Sequence, residues 1–145
     1  MILSHRLPVT QMVMFLLLNF LIIAVDIAKK TGFKIKIFDA YRPPYVQKKL
    51  CETLPDPNFI PPPQKGSPHS RGVAIDLTLI KNGKELDMGT EFDEFSKLSH
   101  HGSLDISKAA YQNRLILLGI MTDSGWDFYR NESVSYTHLT LPTKA

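Results

Sequence analysis

The sequence predicts one α+β domain, in which a small antiparallel sheet carries helices on one side. Two segments alternate apolar and polar residues as half-buried strands do, and an Asn-Gly pair after the second is typical of a hairpin turn. Segments with helical apolar spacing lie near both ends of the chain, and strands that pair through hairpins with helices gathered to one side indicate an α+β domain. A length of 145 residues supports one hydrophobic core but not two.

The first apolar segment, residues 12–25, has two interpretations. It is apolar except for Asn19 and follows a positively charged start, which makes residues 1–28 resemble a signal peptide. The alternative is a buried helix that continues through Lys29 and stops at Gly32, with cations near its C-terminal end and glycine just past it. We favour the helix, because a cut at the end of this segment would leave almost nothing before the next strand.

Two strands and a hairpin can be placed from the alternation. Residues 33–38, with the sequence FKIKIF, alternate apolar residues with lysines. Residues 73–79 form the second strand, with Val73, Ile75, Leu77 and Leu79 on one face and Ala74, Asp76 and Thr78 on the other. The Asn-Gly pair at 82–83 predicts a two-residue turn, so the next strand is expected to return antiparallel.

The remaining segments connect and cover these strands. Residues 45–50 predict a short helix, and Pro55–Pro68 holds six of the ten prolines, which indicates an extended surface loop. Residues 108–121 have helical spacing, and the stripe expected to face the core is Tyr111, Leu115 and Leu118.

Composition excludes several classes of partner and site. The net charge of +3 is mild, and no cluster of Lys and Arg is interleaved with aromatic residues, so nucleic acid is not expected as a partner. The apolar N-terminal run is short for a membrane span, which needs roughly 20 such residues. Cys51 is the only cysteine, so it can form neither an intrachain disulfide nor a thiolate zinc site. A metal ion would therefore need His, Asp or Glu ligands.

The stretch SPHSRGVAIDLTL, residues 67–79, places His69 seven positions before Asp76. The two side chains cannot share a face of one strand, because seven is odd and strand side chains alternate. His69 is therefore expected in the turn before the strand, with Gly72 supplying the bend. Asp76 lies on the strand face with small neighbours, which leaves room for an ion. The spacing alone leaves open both a metal site and an ordinary turn leading into a strand.

The same stretch resembles the Ser-x-His-x-x-Gly-x-Ala-x-Asp motif of the VanX-type zinc metallopeptidases, the D-alanyl-D-alanine dipeptidases. The resemblance extends to KIFDAYRP upstream and to LDMGTEFDEF, SHHG and QNRLILLGIM downstream. It covers roughly residues 29–132 in the family's order, and so many blocks in sequence argue against chance.

This resemblance implies a hedgehog/DD-peptidase-like domain over residues 1–132 and one zinc ion per site. His69 and Asp76 are the implied zinc ligands, together with a second histidine from a C-terminal Glu-x-x-His. The segment GWDFYRNE resembles the approach to that pair, so Glu132 is the expected general base. The third ligand is then expected at position 135, where this chain has Ser135.

Three more residues have implied roles with the dipeptide. Arg42 is expected to stabilise the charge that grows on the scissile carbonyl oxygen, with an ion pair to Asp39 as the structural alternative. Asp93 is a candidate for binding the substrate ammonium and Ser67 for its carboxylate. Both are equally typical of capping or turn residues.

The sequence departs from the family after Glu132. Residues 134–143 resemble a translated sequencing adapter, so residues 133–145 are interpreted as a non-native tail. We then expect the last strand of the sheet to be missing, which would expose a sheet edge. His138 is a poor substitute for the third ligand, because it lies six positions past Glu132 instead of three. This chain as written is therefore expected to have an incomplete site.

The function implied by the resemblance is hydrolysis of D-alanyl-D-alanine in bacterial cell-wall metabolism or glycopeptide resistance, in the cytoplasm or the periplasm. A second reading keeps the fold and the zinc but makes the protein a carboxypeptidase or endopeptidase on peptidoglycan. A third is a wall-peptide binder of the same fold without catalysis. The expected partner in each case is a small peptide.

Overall fold

The computed structural model describes residues 9–57, 60–92 and 94–138, and the side chains from residue 15 onward. Its helices are α1 (Val9–Lys30), α2 (Pro44–Thr53) and α3 (Lys108–Asp123). The strands are β1 (Lys34–Asp39), β2 (Ala74–Lys81), β3 (Lys84–Glu85), β4 (Asp127–Phe128) and β5 (Ser135–Thr137). A short 3-10 helix spans Lys97–Ser99. The α+β prediction is confirmed.

The sheet is antiparallel at each of its pairings. The strand order is β1-β2-β5-β4, and β3 pairs with the end of β2. The turn between β2 and β3 is the predicted Asn-Gly turn, since Asn82 and Gly83 have φ angles of 52° and 76°. Both angles are positive, which is what a type I′ hairpin turn requires.

The last strand of the sheet is present, so the prediction that it is missing is wrong. Residues 135–137 form β5, which pairs with β2 on one side and β4 on the other. The sequence of β5 alternates small polar residues around Tyr136, and that side chain is fully buried in the core. A short strand with one large apolar side chain and two backbone partners is enough to continue the sheet. The non-native origin of residues 133–145 stays a prediction.

The hydrophobic core lies between one face of the sheet and the helices α1 and α3. The predicted inward face of β2 is confirmed, since Ile75, Leu77 and Leu79 are buried there. Helix α1 contributes Ala24 and Ala28, and α3 contributes Leu117, Ile120 and Met121. Helix α2 lies elsewhere, beside the opposite face of the sheet, where it borders the cleft described below.

Helix α1 packs one face on the core and leaves the other exposed. Ala24 and Ala28 are completely buried, whereas Phe15 is 63% and Leu18 53% exposed. The helix ends at Lys30, and Gly32 follows with a φ of 84°, the left-handed conformation of a helix C-terminus. In the part of the chain that the structure describes, no helix has both the length and the apolar composition of a membrane span.

The predicted apolar stripe of α3 is only partly right, because Leu118 packs against the core but Leu115 does not. Leu115 is 51% exposed, and the buried positions are Ala110, Arg114, Leu117, Ile120 and Met121. The helix is therefore rotated so that a guanidinium group faces inward. Arg114 is buried because its N–H groups reach the backbone oxygens of Met88, Leu98 and His100 at 2.6 to 2.8 Å. These three bonds tie the segment between β3 and α3 to the helix.

Candidate active site

The face of the sheet opposite the core carries a row of polar side chains across three strands. Asp76 on β2 is opposite Asp39 on β1 and opposite Ser135 on β5. Paired residues in an antiparallel sheet point to the same face, so the three side chains lie together. Asp76 is 4% exposed and Ser135 is similarly buried. This row forms the floor of the candidate site.

A β-bulge places Asp39 in that row. The register of β1 and β2 shifts between Ile37 and Asp39, so Asp39 and not Phe38 is aligned with Asp76. Strict alternation would instead put Asp39 on the same face as Ile35 and Ile37. A bulge sets two residues of one strand against one residue of its partner and redirects a side chain. Here it brings a second carboxylate to the site.

His69 reaches the same place from the turn before β2, as predicted. Gly72 has a φ of 70° and supplies the bend. The imidazole Nδ1 lies 2.8 Å from the carbonyl oxygen of Ala40, so Nδ1 carries the proton, and Nε2 lies 3.3 Å from Asp76 Oδ1. The backbone N–H of Arg42 donates to the His69 carbonyl at 3.1 Å, which fixes the turn against the end of β1.

The electrostatic environment of His69 reflects both burial and the neighbouring carboxylate. Burial on its own lowers the pKa of the imidazole, but the hydrogen bond and the charge attraction from Asp76, with a smaller contribution from Ala40, outweigh it. The pKa of His69 is therefore raised above its ordinary value of 6.5. A metal ion that binds Nε2 must displace the proton that Asp76 favours on this atom, so metal and proton compete for Nε2.

Asp39, His69 and Asp76 together form a set of side chains that could hold a metal ion. One ligand atom from each lies within 4.8 Å of those of the other two. Imidazole nitrogen and carboxylate oxygen are both ordinary ligands of divalent transition metals. The donor set thus suits a divalent ion, and the Ala40 carbonyl orients the histidine as an outer-shell partner does in metal sites.

Glu132 and Ser135 lie at the edge of this set. The Ser135 hydroxyl is 2.6 Å from Asp76 Oδ1 and also lies within hydrogen-bonding distance of Glu132 Oε2. The expected base and the expected third-ligand position thus lie beside Asp76, and their roles stay predictions. Because a hydroxyl has one proton, Ser135 donates to one carboxylate at a time.

Arg42 forms the ion pair with Asp39 that was expected as the alternative to its role at the scissile carbonyl. Its Nε and Nη2 donate to Asp39 Oδ2 at 3.1 and 2.5 Å, and Nη1 donates to Gln47 Oε1 at 2.9 Å. These contacts use three of the five N–H donors of the guanidinium group. The ion pair therefore positions Arg42 at the cleft and does not use up its donors.

These side chains surround one cleft of about 290 Å³. Six of the seven predicted site residues line it: Arg42, Ser67, His69, Asp76, Glu132 and Ser135. Ser67 also makes a turn contact, since its hydroxyl accepts from the His69 backbone N–H at 3.2 Å. Asp93 lies outside the described residues. The rest of the lining is largely apolar, with Val46 and Leu50 of α2 on one wall and Phe92, Phe95 and Tyr129 on another.

Comparisons with known proteins show the family of this chain. A family model described as D-ala-D-ala dipeptidase matches residues 11–142. This chain belongs to that family. A D-alanyl-D-alanine dipeptidase of Escherichia coli K12 is 42% identical over 123 residues, which are 84% of this chain and 62% of that protein. Another from Enterococcus faecium is 32% identical over 138 residues, covering 81% of this chain and 67% of the relative. The chain thus spans roughly two thirds of the length of these relatives.

Two parts of this dipeptidase-family site were missed or left open by the sequence. Asp39 was considered only as a partner of Arg42, because the bulge that aligns it with Asp76 leaves no signal in the alternation. His138, the weaker candidate for third ligand, does not join the site. It follows β5 on the core side, where its ring stacks on Phe20 at 4.3 Å and meets Trp126 edge to face.

Proposed function

We propose that this site hydrolyses the dipeptide D-alanyl-D-alanine with the help of one zinc ion, in the metabolism of cell-wall peptides. The observation that carries the proposal is the convergence of an imidazole, three carboxylates and a guanidinium group on one small cleft. The names of the relatives in Escherichia coli and Enterococcus support the choice of substrate.

The proposed zinc ligands include His69 and Asp76. His69 is oriented for this role, because its Nδ1 is held by Ala40 and its Nε2 faces Asp76. A zinc ion bound there would supply a Lewis acid for the scissile carbonyl and would acidify a water molecule. Asp76 would bring negative charge to the ion while its other contact, to Ser135, keeps the carboxylate in place.

Glu132 is the proposed general base. Its carboxylate lies beside Ser135 at the mouth of the ligand set and lines the cleft. From there it would accept a proton from the attacking water and later pass it to the amine that leaves when the peptide bond breaks. One carboxylate can perform both transfers, because the amine departs from the same carbon that the water attacks.

Arg42 is proposed to bind the carbonyl oxygen as its negative charge grows. The ion pair with Asp39 and the bond to Gln47 hold the guanidinium group at the cleft before the substrate arrives, so no reorganisation is needed. Ser67 is proposed to donate its hydroxyl proton to the substrate carboxylate, since its oxygen already accepts from His69. Asp93 completes the proposal as the partner of the substrate ammonium.

The size and lining of the cleft favour a small peptide. A volume of about 290 Å³ is at the lower end of what ligand pockets enclose. Apolar walls next to charged groups suit two methyl side chains between an ammonium and a carboxylate. A peptidoglycan strand would have to extend beyond these walls.

The test is release of D-alanine by the full chain incubated with zinc and D-alanyl-D-alanine. We expect the Glu132→Gln variant to be slower by about 100-fold or more, because it keeps the shape of the side chain but cannot accept a proton. A longer peptide ending in D-alanyl-D-alanine serves as the comparison substrate. Faster cleavage of the longer peptide would favour a carboxypeptidase, and dipeptide binding without release would favour a wall-peptide binder.

A further inference from the structure

We propose that Asp39 is the third protein ligand of the metal ion in this chain, in the position for which the family resemblance implies a histidine at residue 135. The inference rests on the proposed metal site and concerns how this particular sequence completes it. It is carried by the β-bulge in β1, the contacts of the Asp39 carboxylate and those of Ser135.

The bulge is the first argument. It departs from regular pairing at one place in β1, and its effect is to set Asp39 opposite Asp76 on the cleft face. Two carboxylates directly opposite each other in a sheet repel, so this alignment is unfavourable unless a cation lies beside them. Arg42 provides one positive charge, to Oδ2 of Asp39. His69, when protonated, provides a second positive charge beside Asp76. A divalent ion between Asp39, His69 and Asp76 would replace that proton and neutralise both carboxylates.

Arg42 uses only one of the two oxygens of the Asp39 carboxylate. Both bonds from Arg42 go to Oδ2. Oδ1 can therefore bind an ion while Oδ2 stays with the guanidinium group. Ligating carboxylates in metal sites are commonly held in this way by an outer hydrogen bond. The ion pair with Arg42 would thus hold Asp39 in place as a metal ligand.

Ser135 has a role in this site other than metal binding. A neutral serine hydroxyl is not among the usual protein ligands of zinc, which are thiolate, imidazole and carboxylate. In this structure the hydroxyl lies between Asp76 and Glu132 and can donate to either. Its one proton is used by one or the other of these carboxylates, which leaves the third coordination position to a charged group, and Asp39 supplies that group.

The test measures zinc binding to the full chain by calorimetric titration in four forms: the native sequence, Asp39→Asn, Ser135→His and the double variant. Asparagine matches the shape of Asp39 and still accepts a bond from Arg42. We expect Asp39→Asn to weaken zinc binding by about 100-fold in the native background. In the Ser135→His background the same change is expected to cost less than about tenfold, because the new imidazole provides the third ligand.

The outcomes separate this inference from the proposed function. If the native chain binds zinc and Asp39→Asn has the same small effect in both backgrounds, Asp39 is not a ligand, while the proposed hydrolysis is unaffected. If neither the native chain nor Ser135→His binds zinc, the metal site itself is refuted and Asp39 with it. The absorption spectrum of the Co²⁺-loaded protein gives a second readout, since loss of a ligand changes it. Asp39→Ser replaces Asp39→Asn if the latter does not fold.

Discussion

Charged side chains are buried in two places in this domain, and they have different surroundings. Those in one place are hydrogen-bonded to the backbone, and those in the other face a cleft. On the core side, Arg114 donates to three backbone oxygens. On the cleft side, Asp39, His69 and Asp76 gather two carboxylates and an imidazole around a space large enough for a ligand. A buried arginine that donates to three backbone oxygens stabilises the fold, whereas buried charges that face a cleft are available for binding.

The two groups also differ in what they hold together. The carbonyls bonded to Arg114 belong to residues 88, 98 and 100, so a single side chain fixes both ends of the segment that carries Phe92 and Phe95 to the cleft wall. Burial lowers the pKa of Arg114, with a nearby Asp87 acting in the other direction. Arginine nevertheless remains charged, because the ordinary pKa of its guanidinium group lies far above neutral pH.

The largest effect is expected from Arg114→Met. Methionine fills similar space but leaves three buried carbonyl groups without their donor, at about 1 to 3 kcal/mol each. We expect the free energy of unfolding to fall by roughly 3 to 5 kcal/mol, measured by urea denaturation. Arg114→Lys is the matched control and is expected to lose about half as much, since one ammonium cannot reach all three oxygens. A loss below about 1 kcal/mol in Arg114→Met would show that the carbonyls find other partners.

An intermediate effect is expected from His101, which lies beside Arg114. Burial, and to a lesser extent the charge of Arg114, lowers the pKa of His101 from 6.5 to about 4. The buried Nε2 has no hydrogen-bond partner among the described residues, so a second N–H would have no acceptor there. The unfolded chain therefore binds more protons than the folded chain between pH 6.5 and about pH 4.

The sign follows from this difference. The contribution of His101 to stability is complete above pH 6.5 and is lost as the pH falls toward about 4, by up to about 3 kcal/mol. His69 has a raised pKa and changes stability in the opposite direction, so the native protein alone does not isolate the effect. Urea unfolding of the native chain and of His101→Gln at pH 7 and pH 4.5 does so. An equal loss in both proteins would show that His101 does not titrate in this way.

The features that the sequence predicts correctly depend on residues that are close together in the chain. These features are the faces of β2, the Asn-Gly turn and the position of His69 before Gly72. The inward face of α3 was predicted only in part, because the burial of Arg114 depends on carbonyls that lie 14 to 26 positions away. Helical periodicity treats arginine as a surface residue, so it favoured the stripe through Leu115.

In the candidate site, too, local features were predicted correctly and contacts between distant parts of the chain were not. The motif around His69 and Asp76 is local, and the family resemblance added Glu132 and Arg42, which line the same cleft. The place of Asp39 depends on a register shift between two strands that are far apart in sequence. The strand at residues 135–137 was dismissed because its sequence departs from the family, although alternation around Tyr136 is sufficient for pairing. Strand pairing sets the place of Asp39 and allows residues 135–137 to form a strand, and the residue types alone do not reveal that pairing.

The smallest change in stability is expected from Asp76→Asn, although it removes a charge from the centre of the sheet. Asparagine keeps an acceptor for the Ser135 hydroxyl and ends the repulsion with Asp39, while the attraction to a protonated His69 is lost. These effects oppose each other, so we expect the metal-free free energy of unfolding at pH 8 to change by less than about 1 kcal/mol. The proposed zinc site would nevertheless be lost. Zinc at about 100 times its dissociation constant should stabilise the native chain by about 2.7 kcal/mol and leave the variant unchanged.

Thermal unfolding with and without zinc measures both parts of this prediction. Asp127→Asn, which removes an exposed carboxylate from β4, is the control for charge on the same sheet and is expected to keep the zinc response. If Asp76→Asn destabilised the metal-free protein as much as Arg114→Met does, the cleft carboxylate would be a structural charge like Arg114. The contrast between the two buried groups would then be wrong. A small change in stability together with a lost zinc response would mean that Asp76 is maintained at the cleft for binding, because the fold does not need its charge.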